Sequence, residues 1–133
     1  MMKKRIAIVL ALPILAGCLA CSEPTPEELA SLAAKGYYDH LIHHEYEQFL
    51  DGMEQREQME HADYRSQLLD NYHLFMAQQQ KAHGGIREVR IVRAKTDSIL
   101  HYTNVFLTLC FGDSTNEEIV VPMVEREGRW RMR

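Results

Sequence analysis

Ile99-Leu100-His101-Tyr102-Thr103-Asn104-Val105-Phe106-Leu107-Thr108-Leu109-Cys110-Phe111 is the stretch that decides the fold class. Thr103, Val105, Leu107, Leu109 and Phe111 share one face at period two, and Tyr102, Asn104, Phe106, Thr108 and Cys110 share the other. That pattern predicts a strand. Gly112-Asp113 follows as a turn signal. Glu117 to Glu125 is a second β-rich run containing Ile119, Val120, Val121 and Val124, and Glu127-Gly128 turns it into Arg129-Trp130-Arg131-Met132. Upstream, from Ile86 to Ala94, Val89, Ile91 and Arg93 alternate with Glu88, Arg90 and Val92. Four antiparallel strands joined by tight turns are expected. Pro122 has no N–H for a ladder and is expected at an edge or a bulge. Alternation in the last strand is expected to turn Trp130 and Met132 towards helices, and Arg129 and Arg131 towards water.

Before Gly84 the period is that of helices. Thr25-Pro26-Glu27-Glu28 reads as a helix start, with Thr25 as N-cap, Pro26 at the first helical position and Glu28 closing a capping box. Ala30, Ala33, Ala34, Tyr37, Tyr38 and Leu41 then recur at spacings of three and four. Tyr46, Phe49, Leu50 and Met53 suggest a second, shorter helix ending near Gly52. A third is expected from about Gln55 to Ala82, with Leu68, Leu69, Tyr72, Phe75 and Met76 on one face, stopped by His83-Gly84-Gly85. Helices followed by a meander make an α+β domain with the helices packed on one sheet face.

The N-terminal residues carry a different message. Lys3-Lys4-Arg5 precedes an apolar run from Ile6 to Ala16 that is interrupted by Pro13 and ends in Leu15-Ala16-Gly17-Cys18. The run is well short of the roughly 20 residues that span a bilayer. A basic start, a short apolar core and small residues before a cysteine fit an export signal, and the last four residues resemble a bacterial lipobox. The expected organisation is a signal peptide over residues 1–17, a lipidated Cys18 with a short tether to residue 24, and one domain over residues 25–133. The expected location is the bacterial cell envelope, at the outer membrane, held by lipid on Cys18. Cys21 follows a poorer lipobox. Cys110, in an apolar run, is expected to behave as a small hydrophobe more than as a disulfide partner for Cys21.

The chain has 133 residues, 15 basic and 19 acidic. From Cys18 to His83 there are 12 acidic residues against 4 basic, and from Gly84 onward 7 against 8. An acidic domain is not expected to hold nucleic acid, where affinity rests on neutralised phosphates.

The order of elements, with Tyr37-Tyr38, Leu41-Ile42, Tyr46, Phe49-Leu50, Asp51-Gly52-Met53, Tyr64-Arg65, Gly84-Gly85-Ile86 and Gly128-Arg129-Trp130-Arg131-Met132, resembles the nuclear transport factor 2-like fold. It is similar to small lipoproteins of Bacteroidetes that carry such a domain. The resemblance covers roughly residues 26 to 133 and rests on packing and turn residues. It implies a cone in which a curved sheet wraps the first helix and leaves a pocket at its open end. Relatives use that pocket for isomerase and hydrolase chemistry, for carrying ligands and for protein interfaces, so the fold alone does not assign a function.

Three groups of residues bear chemistry. His40 and His44 are four apart, as zinc ligands on a helix are, but no Glu of a zincin motif stands between them and no further ligand follows at a metal spacing. They and His43 read as a polar border, and neither metal nor cofactor is expected. Acid–base work in a cone needs a base beside a hydroxyl donor; Tyr38 as donor with Asp97 or His101 as base are the candidates. Arg87, Arg90 and Arg93 form a basic cluster, read either as solvated edge charges or as an interaction surface. The function expected from the sequence is a binding or interaction module for an envelope protein or a small ligand. A pocket enzyme on the same cone is the alternative.

Overall fold

The computed structural model describes residues 22–54 and 56–133. The expected signal peptide, Cys18, Cys21 and the Gln55 helix start lie outside them. The elements run α1 (Pro26–Ile42), α2 (Tyr46–Asp51), α3 (Arg56–Met59), α4 (Ala62–His83), β1 (Ile86–Asp97), β2 (Tyr102–Phe111), β3 (Asn116–Arg126) and β4 (Arg129–Met132). The sheet is antiparallel in the order β1-β2-β3-β4.

Helix α1 starts where its capping chemistry dictates. The Thr25 hydroxyl accepts the Glu28 N–H at 3.1 Å while the Glu28 carboxylate takes the Thr25 N–H at 3.2 Å. Its stripe of Ala30, Ala34 and Leu41 is fully buried, and the small alanines let the helix lie close to the sheet. It touches all four strands, which is how a curved sheet wraps a helix. Phe49 and Leu50 of α2 enter the same core as Val89, Val105, Leu107, Phe111 and Met123.

The expected long third helix is broken in two. His61 adopts an extended conformation (φ −80°, ψ 120°) and caps α4. The N–H groups of Glu60 and His61 turn back to Glu57 and Gln58, closing α3 three residues at a time. The apolar face expected from Leu68 to Met76 does pack on the core. At the far end, Gly84 sits at φ 76° as the left-handed cap that stops α4.

In β2 the observed burial alternates as the sequence predicts, but the strand begins at Tyr102 instead of Ile99. Asp97 accepts the N–H groups of both Ile99 and Leu100 at 2.9 Å, an Asx turn that removes Ile99 and Leu100 from the ladder. Strand β1 departs from simple alternation, because register shifts fall between Ile86 and Glu88 and between Ile91 and Arg93. These bulges put Ile86 and Val89 on one face despite their odd spacing, and bend the strand. Pro122 lies in β3 beyond the end of β4. Arg133 donates to its carbonyl at 2.8 Å, and the imino nitrogen points to the same side, where no strand partner asks for a proton.

The last strand corrects one expectation. Met132 is buried and Trp130 packs partly against the core, as alternation requires. Arg131, however, is only 6% exposed. Its guanidinium donates to the Asp51 carbonyl at 2.7 Å, because the segment after α2 runs along the free edge of β4. There Met132 donates to Gly52 and accepts from Glu54, and Met53 pairs with Met132 as a parallel bridge. The guanidinium is therefore used on the end of α2, where a positive charge is favoured.

Candidate functional site

The break between α3 and α4 shapes one wall of a cavity between the helices and the sheet. Met59, at the end of α3, and Tyr64 and Tyr72, on one stripe of α4, come to face Tyr38 of α1. Together with Phe49 and Val121 they line a cavity of about 200 Å³. Aromatic edges build its floor: Phe49 meets Tyr38 at 5.3 Å and Tyr72 at 4.8 Å between ring centroids, both edge-to-face. Met53, from the edge segment beside β4, and Met132 supply thioether surface that adapts to irregular shapes.

Polar groups are few. Burial pushes the Tyr38 hydroxyl up to about 12, with nearby Tyr72 adding to the effect. Burial likewise raises Tyr72, with Tyr64 contributing. At neutral pH these are uncharged phenols that donate hydrogen bonds and do not act as bases. Glu54 is the carboxylate at the cavity, and its Oε2 accepts from Arg126 Nε at 2.7 Å. Arg133 stands exposed at the rim. The cavity thus combines mainly apolar walls with phenol hydroxyls able to donate hydrogen bonds.

Of the three acid–base candidates, the structure brings only Tyr38 to the cavity. Asp97 is used by the β1–β2 turn described above. His101 occupies a left-handed position (φ 60°) in the same turn and donates its N–H to the Asp97 carbonyl at 2.9 Å. Neither lines the cavity. The sequence reading missed Glu54, Met59 and Tyr72 as lining residues. The eight-residue spacing of Tyr64 and Tyr72 carried the stripe, but nothing local announces the break at His61 that aims it.

The histidines do not converge. The helix ends at Ile42, so His40 and His44 do not share a helical face. His40 pairs with Glu45 at 2.8 Å, His43 reaches the Asp39 carbonyl at 2.7 Å, and His44, at φ 63°, contacts the Tyr46 hydroxyl at 2.9 Å. No group of three metal-binding side chains occurs among the described residues. Cys110 is a buried free thiol. In the basic cluster, Arg90 pairs with Glu88 at 3.1 Å, and Arg93 pairs with Glu118 at 3.2 Å while its guanidinium lies 3.9 Å above the Phe106 ring. Much of that positive charge is answered within the sheet; Arg87 is exposed at the first bulge.

A second depression, of about 350 Å³, lies between Asp51, Glu60, Arg65, Arg129 and Arg131. Its charges mostly hold the fold. Arg65 binds Glu47 at 2.8 Å and Asp51 at 3.0 Å, and Arg131 caps α2. The tyrosine-lined cavity is therefore the candidate site.

No family model matches the chain, and no curated protein matches it. Among solved structures, the chain is similar to a Campylobacter jejuni protein provisionally described as an NTF2-like transpeptidase. The identity is 14%, the TM-score 0.57, and the match covers 74% of this chain and 92% of that one. The transpeptidase description stays with that protein. Among the described residues, those that line the cavity are aromatic, aliphatic, thioether, glutamate, proline and arginine side chains. The likeness concerns the fold, and with the element order and sheet topology it identifies this chain as having the NTF2-like fold.

Proposed function

We propose that this chain is a cell-envelope lipoprotein, of the kind Bacteroidetes carry, anchored at the outer membrane through Cys18. Its cone-shaped domain acts as a binding module for a small apolar ligand. The observation that carries the binding reading is the cavity of about 200 Å³ lined by Tyr38, Phe49, Met53, Met59, Tyr72 and Val121. An apolar cavity of roughly 150 Å³ already takes a benzene ring, so this one suits a single substituted ring or a short branched chain. The phenol hydroxyls favour a ligand with one carbonyl, ether or hydroxyl group. The lipobox-like Leu15-Ala16-Gly17-Cys18 behind Lys3-Lys4-Arg5 supports the address. No helix among the described residues is long and apolar enough to cross a membrane.

A second reading, a pocket enzyme, is favoured by one observation: Glu54 is a carboxylate at the cavity beside tyrosine hydroxyls. Native mass spectrometry of the chain taken from its own envelope tests the proposal. The expected result is a small apolar molecule held intact and a mass consistent with acylated Cys18, both unaffected by Glu54→Gln. Turnover of the retained molecule by the wild type and not by Glu54→Gln would favour the enzyme. An empty cavity that also ignores millimolar phenols would refute both readings.

A further inference from the structure

The β1–β2 turn carries an apolar tip that none of the described residues covers. Ile99 is 84% exposed and Leu100 is 57% exposed, although neighbouring β2 is half-buried or buried along its whole length. The tip is held in shape. The Asp97 carboxylate accepts both their N–H groups, and the His101 N–H closes the turn onto the Asp97 carbonyl. A rigid turn presenting two large aliphatic side chains to solvent costs solubility and gives the domain nothing internally.

Its position supplies the reason. Thr96, one residue before that turn, donates its hydroxyl to the carboxylate of Glu27 in the first turn of α1. The end of β1 and the start of α1 are thus tied together. The hydrogen bond also lowers the Glu27 pKa, so the tie persists at neutral pH. Cys18 lies eight residues before Pro26, a distance of at most roughly 27 Å for extended chain. A lipid on Cys18 therefore holds this end of the domain, and the apolar tip with it, next to the bilayer.

We infer that Ile99 and Leu100 insert into the membrane interface beside the lipid anchor, fixing the orientation of the cone on the membrane. The inference rests on the acylation of Cys18. The surface it needs is the acyl region of the bilayer and not the charge of the headgroups. The residues at this end include Glu23, Glu27 and Glu28 as well as Lys95, which gives no attraction to an anionic surface. Orientation is consequently insensitive to salt and does not require anionic lipid.

The test uses the full acylated chain in phosphatidylcholine vesicles whose acyl chains carry bromine, a short-range quencher of tryptophan. Ile99→Trp places a reporter at the tip. Val120→Trp places one at another exposed position, 51% accessible in β3, and Trp130 is the common background. The expected result is that the added emission of Ile99→Trp is lower in brominated than in unbrominated vesicles, at low and high salt alike, while that of Val120→Trp is the same in both. Equal quenching of both reporters, or none at position 99 in a chain whose mass confirms acylation, overturns the inference. A chain whose mass shows no acyl group overturns the anchor reading and this one with it.

Discussion

Replacing Gly112 by alanine should be among the most damaging single-methyl changes in this protein, while the same change at Gly36 should stabilise it. A Cβ at Gly112 would lie 2.4 Å from the Gly84 carbonyl oxygen and 2.9 Å from its carbon. Those are backbone atoms of the turn after α4, so no side chain can swing away. The two turns are locked by Gly112 N–H to the Gly85 carbonyl at 2.9 Å and Asp113 N–H to the His83 carbonyl at 2.8 Å. The His83 ring stacks on Phe111 at 4.5 Å beside them. Relieving the overlap costs about 1–3 kcal/mol by the measure of overpacked cores. Parting the turns forfeits two hydrogen bonds at about 1 kcal/mol each. A loss of about 3–5 kcal/mol follows, a large share of the usual stability of a domain. At Gly36, within α1, nothing lies within 4 Å of the added methyl, so the helix gains about 0.5–1 kcal/mol from reduced backbone entropy. Urea unfolding of both variants reads the pair, with midpoint shifts of opposite sign. A Gly112→Ala loss below about 1 kcal/mol, or a Gly36→Ala variant weaker than wild type, would refute the reasoning.

The Tyr38 hydroxyl, raised from 10.0 to about 12 by burial, must stay protonated in the fold. Its stabilising effect is complete below pH 10 and is lost as pH rises towards 12. Tyr38→Phe should flatten that alkaline limb by on the order of 2 kcal/mol, measured by urea midpoints across the range. Asp113 behaves oppositely: hydrogen bonds from Thr115 and then His83 lower it from 3.8 to about 2. Its stabilisation is present above about pH 4 and disappears as pH falls towards 2, and Asp113→Asn should lack this acid limb in thermal melts. Arg131→Ala leaves the Asp51 carbonyl without its buried donor and should cost about 1–3 kcal/mol. A neutral result would mean that Arg131 does not hold the end of α2.

The parts of the fold legible in the sequence were those governed by neighbours along the chain. The α1 capping box, the Gly84 stop and the two-residue alternation of β2 all depend on contacts within four residues or on strand geometry. The parts that escaped depend on distant partners. Arg131 alternates as a solvent-facing residue, and only the return of Gly52 and Met53 along β4 explains its burial. The helix break at His61 has neither proline nor glycine to mark it. The two bulges in β1 appear only as a register against β2. The candidate site shared this fate. Tyr38 does reach the cavity, but Asp97 and His101, candidate bases by residue type, are engaged in the β1–β2 turn. Glu54 was invisible because the strand-like segment carrying it is defined by β4, almost eighty residues further along the chain.

Methionine methyl resonances report directly on the proposed binding of a small apolar ligand in the tyrosine-lined cavity. Met53, Met59 and Met132 line the cavity, whereas Met76 and Met123 are buried in the core and do not line it. Titrating the ¹³C-methyl-labelled chain with a substituted phenol should shift the first three methyls in a saturable way, with intermolecular contacts from the ring to Met53 and Met59. Met76 and Met123 should stay in place. Shifts confined to Met76 and Met123, or no saturable shift at any of the five, would contradict the claim.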